Sequence, residues 1–405
     1  LPGKRSRRHD RTTRVLIVSG SVGAGHDGAA AELRRQLTDA GVAAQVQDFL
    51  DALPYLARAL VRRGYVVSIH YRPGFFEWLF TSAENALWMR RVIDVMCWVA
   101  RRRIRRWSRG AALVVSTFPF ASQTLGQLKQ RGTLATPVIT YLTDPAAHRL
   151  WVHPAVDHHL TVTHATALTG SRQYGVPMQA VGGLVAAAFA RTRTPAEREA
   201  IRESLDIPAS APLVLISCGS EGMGDVRTTV QALAGVEKLH TVVLCGRNKQ
   251  LRLDLQGLPR VSALGWRGDV PDLMAAADVL VHNAGGLSLT EALTAGLPAV
   301  TFRPIPGHGQ VNAQVLAAAG IAPWPRDDAA LVAEVIRQYS AGRRDTLALQ
   351  CGGASRFVLS LLRASPAQRP PTRPVRFRVR PLRTTQQNDG QHRGHSGGTV
   401  ESVGH

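Results

Sequence analysis

The strongest constraint in this chain is a rhythm that occurs twice. Short apolar, β-branched runs alternate with helix-length intervals, first at 15–19, 44–49, 112–116, 137–142 and 160–162, then at 213–217, 241–245, 262–264, 279–282 and 299–302. Strands that are apolar throughout must be covered on both faces, and helix-length connections return each strand parallel to the last, so each series predicts a doubly wound α/β unit. With 405 residues there is length for two such domains. We place them at 14–185 and 186–364, with the linker within 185–200. A basic arm (1–13) and a Pro/Arg/Gly/His-rich tail (365–405) carry too little apolar content for a core and are expected to be disordered.

Charge separates the two units. The net +20 comes from 49 Lys+Arg against 29 Asp+Glu, and only four of the 49 are Lys. Residues 1–185 carry 24 basic and 11 acidic groups, residues 186–360 carry 17 and 16, and 361–405 carry 8 and 2. One half is strongly basic, the other almost neutral, so the two halves are expected to meet different partners. The four cysteines (Cys97, Cys218, Cys245, Cys351) have neither metal-site nor disulfide-framework spacing and read as buried thiols of a reducing compartment. No apolar run reaches the ~20 residues of a membrane-spanning helix. The apolar run after the basic arm ends in a glycine loop, so it is read as a strand and not as a signal peptide. The expected location is cytoplasmic.

Candidate sites lie where strands end. The first strand runs into Gly20-Ser21-Val22-Gly23-Ala24-Gly25-His26 and an Ala-rich helix. Closely spaced glycines let backbone amides approach a ligand, and a helix N-terminus favours negative charge. A dinucleotide fingerprint would need a glycine at 22 and an acid further on, for which Asp48 or Asp51 would have to serve; that fit is poor. His26, where the loop meets the helix, is either a helix-start residue satisfied by backbone or a general base kept neutral by its position.

The second series opens with a strand into Cys218-Gly219-Ser220-Glu221-Gly222-Met223-Gly224, suited to a phosphate cradle but without the Gly-Lys-Ser/Thr ending of a P-loop. Further on, His282-Asn283-Ala284-Gly285-Gly286-Leu287-Ser288-Leu289-Thr290-Glu291 has two readings. Ser288 and Glu291 fit a capping box, or the glycine amides bind a pyrophosphate and Glu291 the ribose hydroxyls. A proline-stiffened loop then presents His308, Gln310 and Asn312, a set suited to sugar hydroxyls.

In this order the motifs resemble the monogalactosyldiacylglycerol synthase branch of nucleotide-sugar glycosyltransferases, related to the lipid-intermediate transferase of peptidoglycan synthesis. The resemblance spans about 12–340 and rests on GSVGAGH (20–26), STFPFA (116–121), TDPAAHRLWVHPAVD (143–157), GSEGMG (219–224) and the long block 265–307. It implies a glycosyltransferase B-type fold, two Rossmann-like domains facing across a cleft, and an inverting transfer with a UDP-sugar co-substrate and no metal or cofactor. It implies His26 as catalytic base, with Asp144 second to it as an acceptor-site residue. For the donor it implies Gly23, Gly25, Gly219, Ser220, Gly222, Met223 and Gly246 near phosphates, and Trp266 and Arg267 near uracil. Asn283, Gly285, Gly286, Leu287, Ser288 and Glu291 would line the donor, with His308, Gln310 and Asn312 facing the sugar. Two positions depart from the family. Where it usually reads close to PGQEEGN, this chain has Pro306-Gly307-His308-Gly309-Gln310-Val311-Asn312, without the acid that would hold hexose hydroxyls, and Phe118 stands where relatives often carry His.

The basic half suggests a surface partner. A helix over the second half of 75–109 would align Met89, Ile93, Met96, Ala100, Ile104 and Trp107, flanked by arginines that include Arg101, Arg102 and Arg105. With Trp78 and Trp98 this has the composition of an interfacial helix on an anionic membrane, and equally of a core-packed amphipathic helix. No nucleic-acid module is present, and the neutral second half argues against that partner. His148, His153, His158, His159 and His164 lack metal-ligand spacing. The expected function is hexosyl transfer from a UDP-sugar to a membrane lipid, diacylglycerol first. The alternatives are a polyprenyl-linked or secondary-metabolite acceptor, or a relative that binds UDP or lipid without turnover.

Overall fold

The computed structural model describes residues 14–71, 78, 81–84, 86–344 and 352–364. The expected arm and tail, Cys351, and most of 75–80 lie outside the described residues.

The first series forms a six-stranded sheet: β1 (Arg14–Ser19), β2 (Ala43–Asp48), β3 (Leu113–Ser116), β4 (Val138–Tyr141), β5 (His158–Thr161) and β6 (Met178–Ala180), in the order β2-β1-β3-β4-β5-β6. All of its pairings are parallel, as strands apolar on both faces require. Strand β6 was not anticipated, because three residues with polar Gln179 exposed give no apolar run. The second series forms β7 (Leu213–Ser217), β8 (His240–Leu244), β9 (Val261–Leu264), β10 (Val279–His282) and β11 (Ala299–Thr301), in the order β11-β10-β7-β8-β9, again parallel.

Ligand crevices in such sheets open where strand order reverses. In the first sheet this is the carboxyl end of β1, which feeds the glycine loop and α1 (Ala24–Asp39). In the second it is the end of β7, beside β10, which feeds α10 (Gly286–Thr294).

Between them on the first domain run α2 (Tyr55–Tyr71), α3 (Leu87–Trp107), α4 (Pro119–Gln130) and α5 (His164–Tyr174). The second domain adds α6 (Pro195–Glu203), α7 (Val226–Ala234), α8 (Lys249–Leu255), α9 (Val270–Ala276), α11 (His308–Ala318) and α12 (Asp328–Ala341). Helix α6 opens with a complete capping box between Thr194 and Glu197, and Arg193 and Arg202 pin its ends to Asp272 and Asp278. Most of the expected linker is therefore part of the second domain, and the passage between domains narrows to about 181–185, where Leu184 joins the first core and Val185 the second.

The expected end of the second domain at 364 is displaced. Helix α13 (Gly353–Arg363) returns to the first sheet, where Ala354 and Val358 pack with Ile17, Leu33 and Leu113. Its apolar face completes the core that α1 leaves open on that side, so the two domains are tied at two crossings.

Candidate active site

His26 occupies the first turn of α1, whose N-cap, Gly23, lies at φ 99°. Its Nδ1 is 3.0 Å from the Thr143 hydroxyl. The ring stands edge-on to Phe118 at 5.2 Å and tilted to Trp151 at 5.7 Å, so two aromatic walls fix its plane. Phe118, which the resemblance marks as a departure, thus supplies one of the walls. Burial lowers the His26 pKa, and the nearby Asp144 and Asp27 offset only part of that. The imidazole is held neutral, the state a general base needs.

Asp144 follows Thr143 on the loop after β4. Its carboxylate accepts the Trp151 indole N–H at 2.7 Å and lies 3.3 Å from His148 Nε2. Burial alone would raise its pKa, but hydrogen bonding and charge from His148, with His308 and His26 beside it, hold it well below the usual carboxylate range. Glu84 braces the same loop, accepting the Arg149 backbone N–H at 2.7 Å and the Tyr174 hydroxyl at 3.2 Å. Asp144 and three histidines, His26, His148 and His308, therefore converge on this edge of the cleft, with the Glu84 carboxylate 3.8 Å from His148 Nδ1, and His308 comes from the second domain at the start of α11.

The glycine loops of the second domain interlock. Gly246, at φ 58°, lies so close to the Ser220 carbonyl that a side chain would overlap it, which seats the loop after β8 under Gly219–Gly222. Met223 is buried and its carbonyl accepts the Asn283 amide at 2.9 Å. Helix α10 starts at Gly286, and Ser288 is bonded to Ser217 at 2.9 Å, so Ser288 caps nothing and the capping-box reading of Glu291 fails. Glu291 makes no side-chain hydrogen bond or ion pair with the described residues, and burial pushes its carboxyl up to about 8. Trp266 is exposed with the Arg247 guanidinium 4.3 Å above its ring, while Arg267 is held in an exposed pair with Asp269.

The domains meet at this site. Leu287 packs on Gly25 and Gly28 of α1, and Gly286 lies against the Thr143 carbonyl so closely that any side chain there would overlap it. Asn312 is fully buried: its carbonyl accepts the Ala146 N–H of the first domain at 3.0 Å, and its amide donates to the Ala284 carbonyl of the second at 3.1 Å. Both ends of that side chain are occupied by backbone, so Asn312 does not face a sugar; Gln310 stays half-buried beside it.

Other expectations separate from the site. Asp48 accepts from Leu50 N and from the Ser21 amide, closing the β2 end onto the glycine loop, which leaves it no dinucleotide role. His153 and His159 are buried in the first domain and burial lowers them to about 4 and about 3. In α3 the stripe Met89, Ile93, Ala100 and Ile104 is core, and Trp107 packs against the same core, so these residues do not form a lipid-facing face. The opposite face of α3 exposes Trp88, Val92, Val95 and Trp98, with Arg102 and Arg105 beside them; Arg101 stacks on Trp98 at 5.0 Å, and Trp78 on Trp88 at 5.5 Å.

Comparison with known proteins agrees with this geometry. Residues 26–180 match the monogalactosyldiacylglycerol (MGDG) synthase family model, beginning at His26 itself. The chain is similar to the monogalactosyldiacylglycerol synthase family. Residues 214–340 match glycosyl transferases group 1. Among curated relatives, the processive diacylglycerol beta-glucosyltransferase of Bacillus cereus is 24% identical over 342 residues, covering 80% of this chain and 85% of that protein. The protein of the same name from Bacillus mycoides is 28% identical over 232 residues, covering 55% of this chain and 58% of its own length. Among solved structures, Acinetobacter baumannii MurG superposes with TM-score 0.54 at 16% identity, covering 86% of this chain and 99% of its own. The glycotransferase of kitacinnamycin gives 0.54 at 17%, covering 86% and 94%. The fold is the glycosyltransferase B-type.

The residues that sequence reasoning missed are the ones that act through a neighbour: Thr143 under His26, and Glu84 and Trp151 around Asp144. Thr143 and Trp151 stood inside a recognised block without an assigned task, and Glu84 had no sequence signal.

Proposed function

We propose that this chain is an inverting glycosyltransferase that moves a hexose from a UDP-sugar to a hydroxyl of diacylglycerol. The observation that carries the reading is His26, neutral and braced by Thr143, at the mouth of the segment matching the MGDG synthase model. With Nδ1–H donating to Thr143, Nε2 takes the proton of the acceptor hydroxyl. The acceptor oxygen bonds to the anomeric carbon on the face opposite the phosphate. The bond from that carbon to the β-phosphate oxygen breaks, and UDP leaves with the electron pair. The N-terminus of α10 and the interlocked glycine loops supply amides for that charge. Glu291 takes the ribose hydroxyls, and Trp266 stands near uracil.

No helix among the described residues is long and apolar enough to cross a membrane. The lipid is met instead by the outer face of α3, whose tryptophans and valines enter the boundary while the arginines meet anionic headgroups. The three described cysteines are buried free thiols, which suits the cytoplasmic face.

The test is incubation of the purified protein with UDP-glucose, UDP-galactose or UDP-N-acetylglucosamine and vesicles containing diacylglycerol, read by mass spectrometry. Hexosyl-diacylglycerol with one donor is the expected product. UDP binding without product across all donors and extracted membrane lipids would overturn the reading in favour of a non-catalytic relative.

A further inference from the structure

Asn312 links the two halves of the site through backbone on both sides. Its carbonyl holds the Ala146 N–H, two residues from Asp144 and three from Thr143, on the loop that braces His26. Its amide holds the carbonyl of Ala284, a non-glycine residue at φ 68°. Such a conformation persists only when its surroundings enforce it. Next to Ala284, Asn283 donates to the Met223 carbonyl of the glycine loop after β7. A continuous line of hydrogen bonds thus runs from the donor-domain loop at 219–224 through Asn283, Ala284 and Asn312 to the loop carrying Asp144, and Asn312 is its only side chain bonded to both domains. The side chain is 1% exposed, and both of its polar atoms are engaged by backbone.

We propose that Asn312 is a positioning residue that sets the distance between the donor loops and the His26–Thr143–Asp144 edge. Resting on the glycosyltransferase reading, this assigns it to the alignment of the acceptor oxygen with the anomeric carbon, and not to binding of either substrate. Small misplacements of reacting groups cost large factors in rate, because the reaction needs near-attack geometry. The contact of Gly286 with the Thr143 carbonyl lets the domains approach this closely, and Asn312 supplies the directional tie.

The experiment uses Asn312→Ala and Asn312→Asp in the full chain. The first removes both bonds; the second keeps an acceptor for Ala146 but turns a carboxylate toward the Ala284 carbonyl. UDP affinity by calorimetry should stay within about threefold of wild type while kcat falls roughly 10- to 100-fold, the loss that a small misplacement of the reacting groups produces. Small-angle scattering with UDP bound should show a larger radius of gyration for both variants. An unchanged kcat, or a loss of UDP affinity in step with kcat, would overturn the assignment, since the latter marks general damage to the donor domain. If wild type binds UDP but transfers nothing, the proposed function fails, and the scattering comparison alone decides for or against Asn312 as the domain tie.

Discussion

The most decisive perturbation is Glu291→Gln, because the environment of Glu291 makes a signed prediction about donor binding. Burial pushes this carboxyl up to about 8, so at pH 7 it is mostly protonated in the free protein. If the ionised form accepts the ribose hydroxyls, UDP binding releases a proton and affinity rises with pH until the group is ionised in the free protein as well. With a free-state value near 8, the apparent dissociation constant carries a factor of one plus ten to the power (8 minus pH). Between pH 7 and pH 8.5 that factor falls from about 11 to about 1.3, an increase in affinity of roughly eightfold. That window lies above the second ionisation of the diphosphate and below that of the uracil imide. Calorimetric titration of UDP at pH 7, 7.5, 8 and 8.5 reads the slope, and repeating it in a buffer of different ionisation enthalpy reads the released proton directly. Glu291→Gln should bind more weakly than wild type at pH 8.5 and show no slope. A flat wild-type profile, or a slope that survives the glutamine substitution, would refute the placement of Glu291 at the ribose.

Replacing His26 with Ala should lower transfer by roughly 10²- to 10⁴-fold with UDP affinity unchanged, since the base is on the acceptor side; full activity would remove the assignment. Because burial lowers the His26 pKa, the acid limb of the kcat/KM profile should lie below the ordinary imidazole value of 6.5. Exchanging Trp88 and Trp98 together for Ala should weaken binding to anionic vesicles at every salt concentration, whereas exchanging Arg102 and Arg105 should weaken it by roughly fivefold each and flatten the salt dependence. Vesicle flotation measures both, and equal loss from Met89→Ala without unfolding would assign the membrane face wrongly. Lys129→Met should destabilise the first domain by about 3 kcal/mol in denaturant titration, because it leaves Asp157, only 10% exposed and 2.6 Å from the ammonium, without its cation and with the Val138 N–H on the same oxygen.

The fold was legible because it is written in runs that need no knowledge of distant contacts. Ten of the eleven strands coincide with apolar segments, and the exception, β6, is short and polar enough to depend on its neighbour β5 for recognition. Helix α3 shows the limit of periodicity. Its apolar residues occupy two opposite faces, and a sequence pattern identifies that both exist without saying which one the core takes. The face containing Met89, Ile93 and Ile104 went inward because α4, Phe49 and Leu50 offer it a surface, leaving Trp88, Val92, Val95 and Trp98 outside. The second-domain boundary was missed for the same reason: nothing in the composition of α13 says which sheet its apolar face will cover.

The site was legible where a residue's chemistry is tied to local backbone and illegible where it depends on a partner across the cleft. His26 could be singled out as a candidate because a histidine at the end of a glycine loop opening a helix is a local signal. Thr143, which orients it, lies 117 positions away, and Asn312 lies 166 from Ala146; no spacing rule relates such pairs. Glu291 illustrates the converse. Its local pattern with Ser288 supported capping, and only the pairing of Ser288 with Ser217 leaves the carboxyl half-buried without a side-chain partner among the described residues. The charge partition follows the same logic. The nearly neutral domain holds its glycine loops together through backbone carbonyls and the side-chain amides of Asn283 and Asn248, which require little net charge. The basic excess of the first domain includes the exposed flank of α3, away from the Asp144–His148 pair, so the charge that stands out in the composition lies on a surface, while Asp144 and His148 sit largely shielded from solvent.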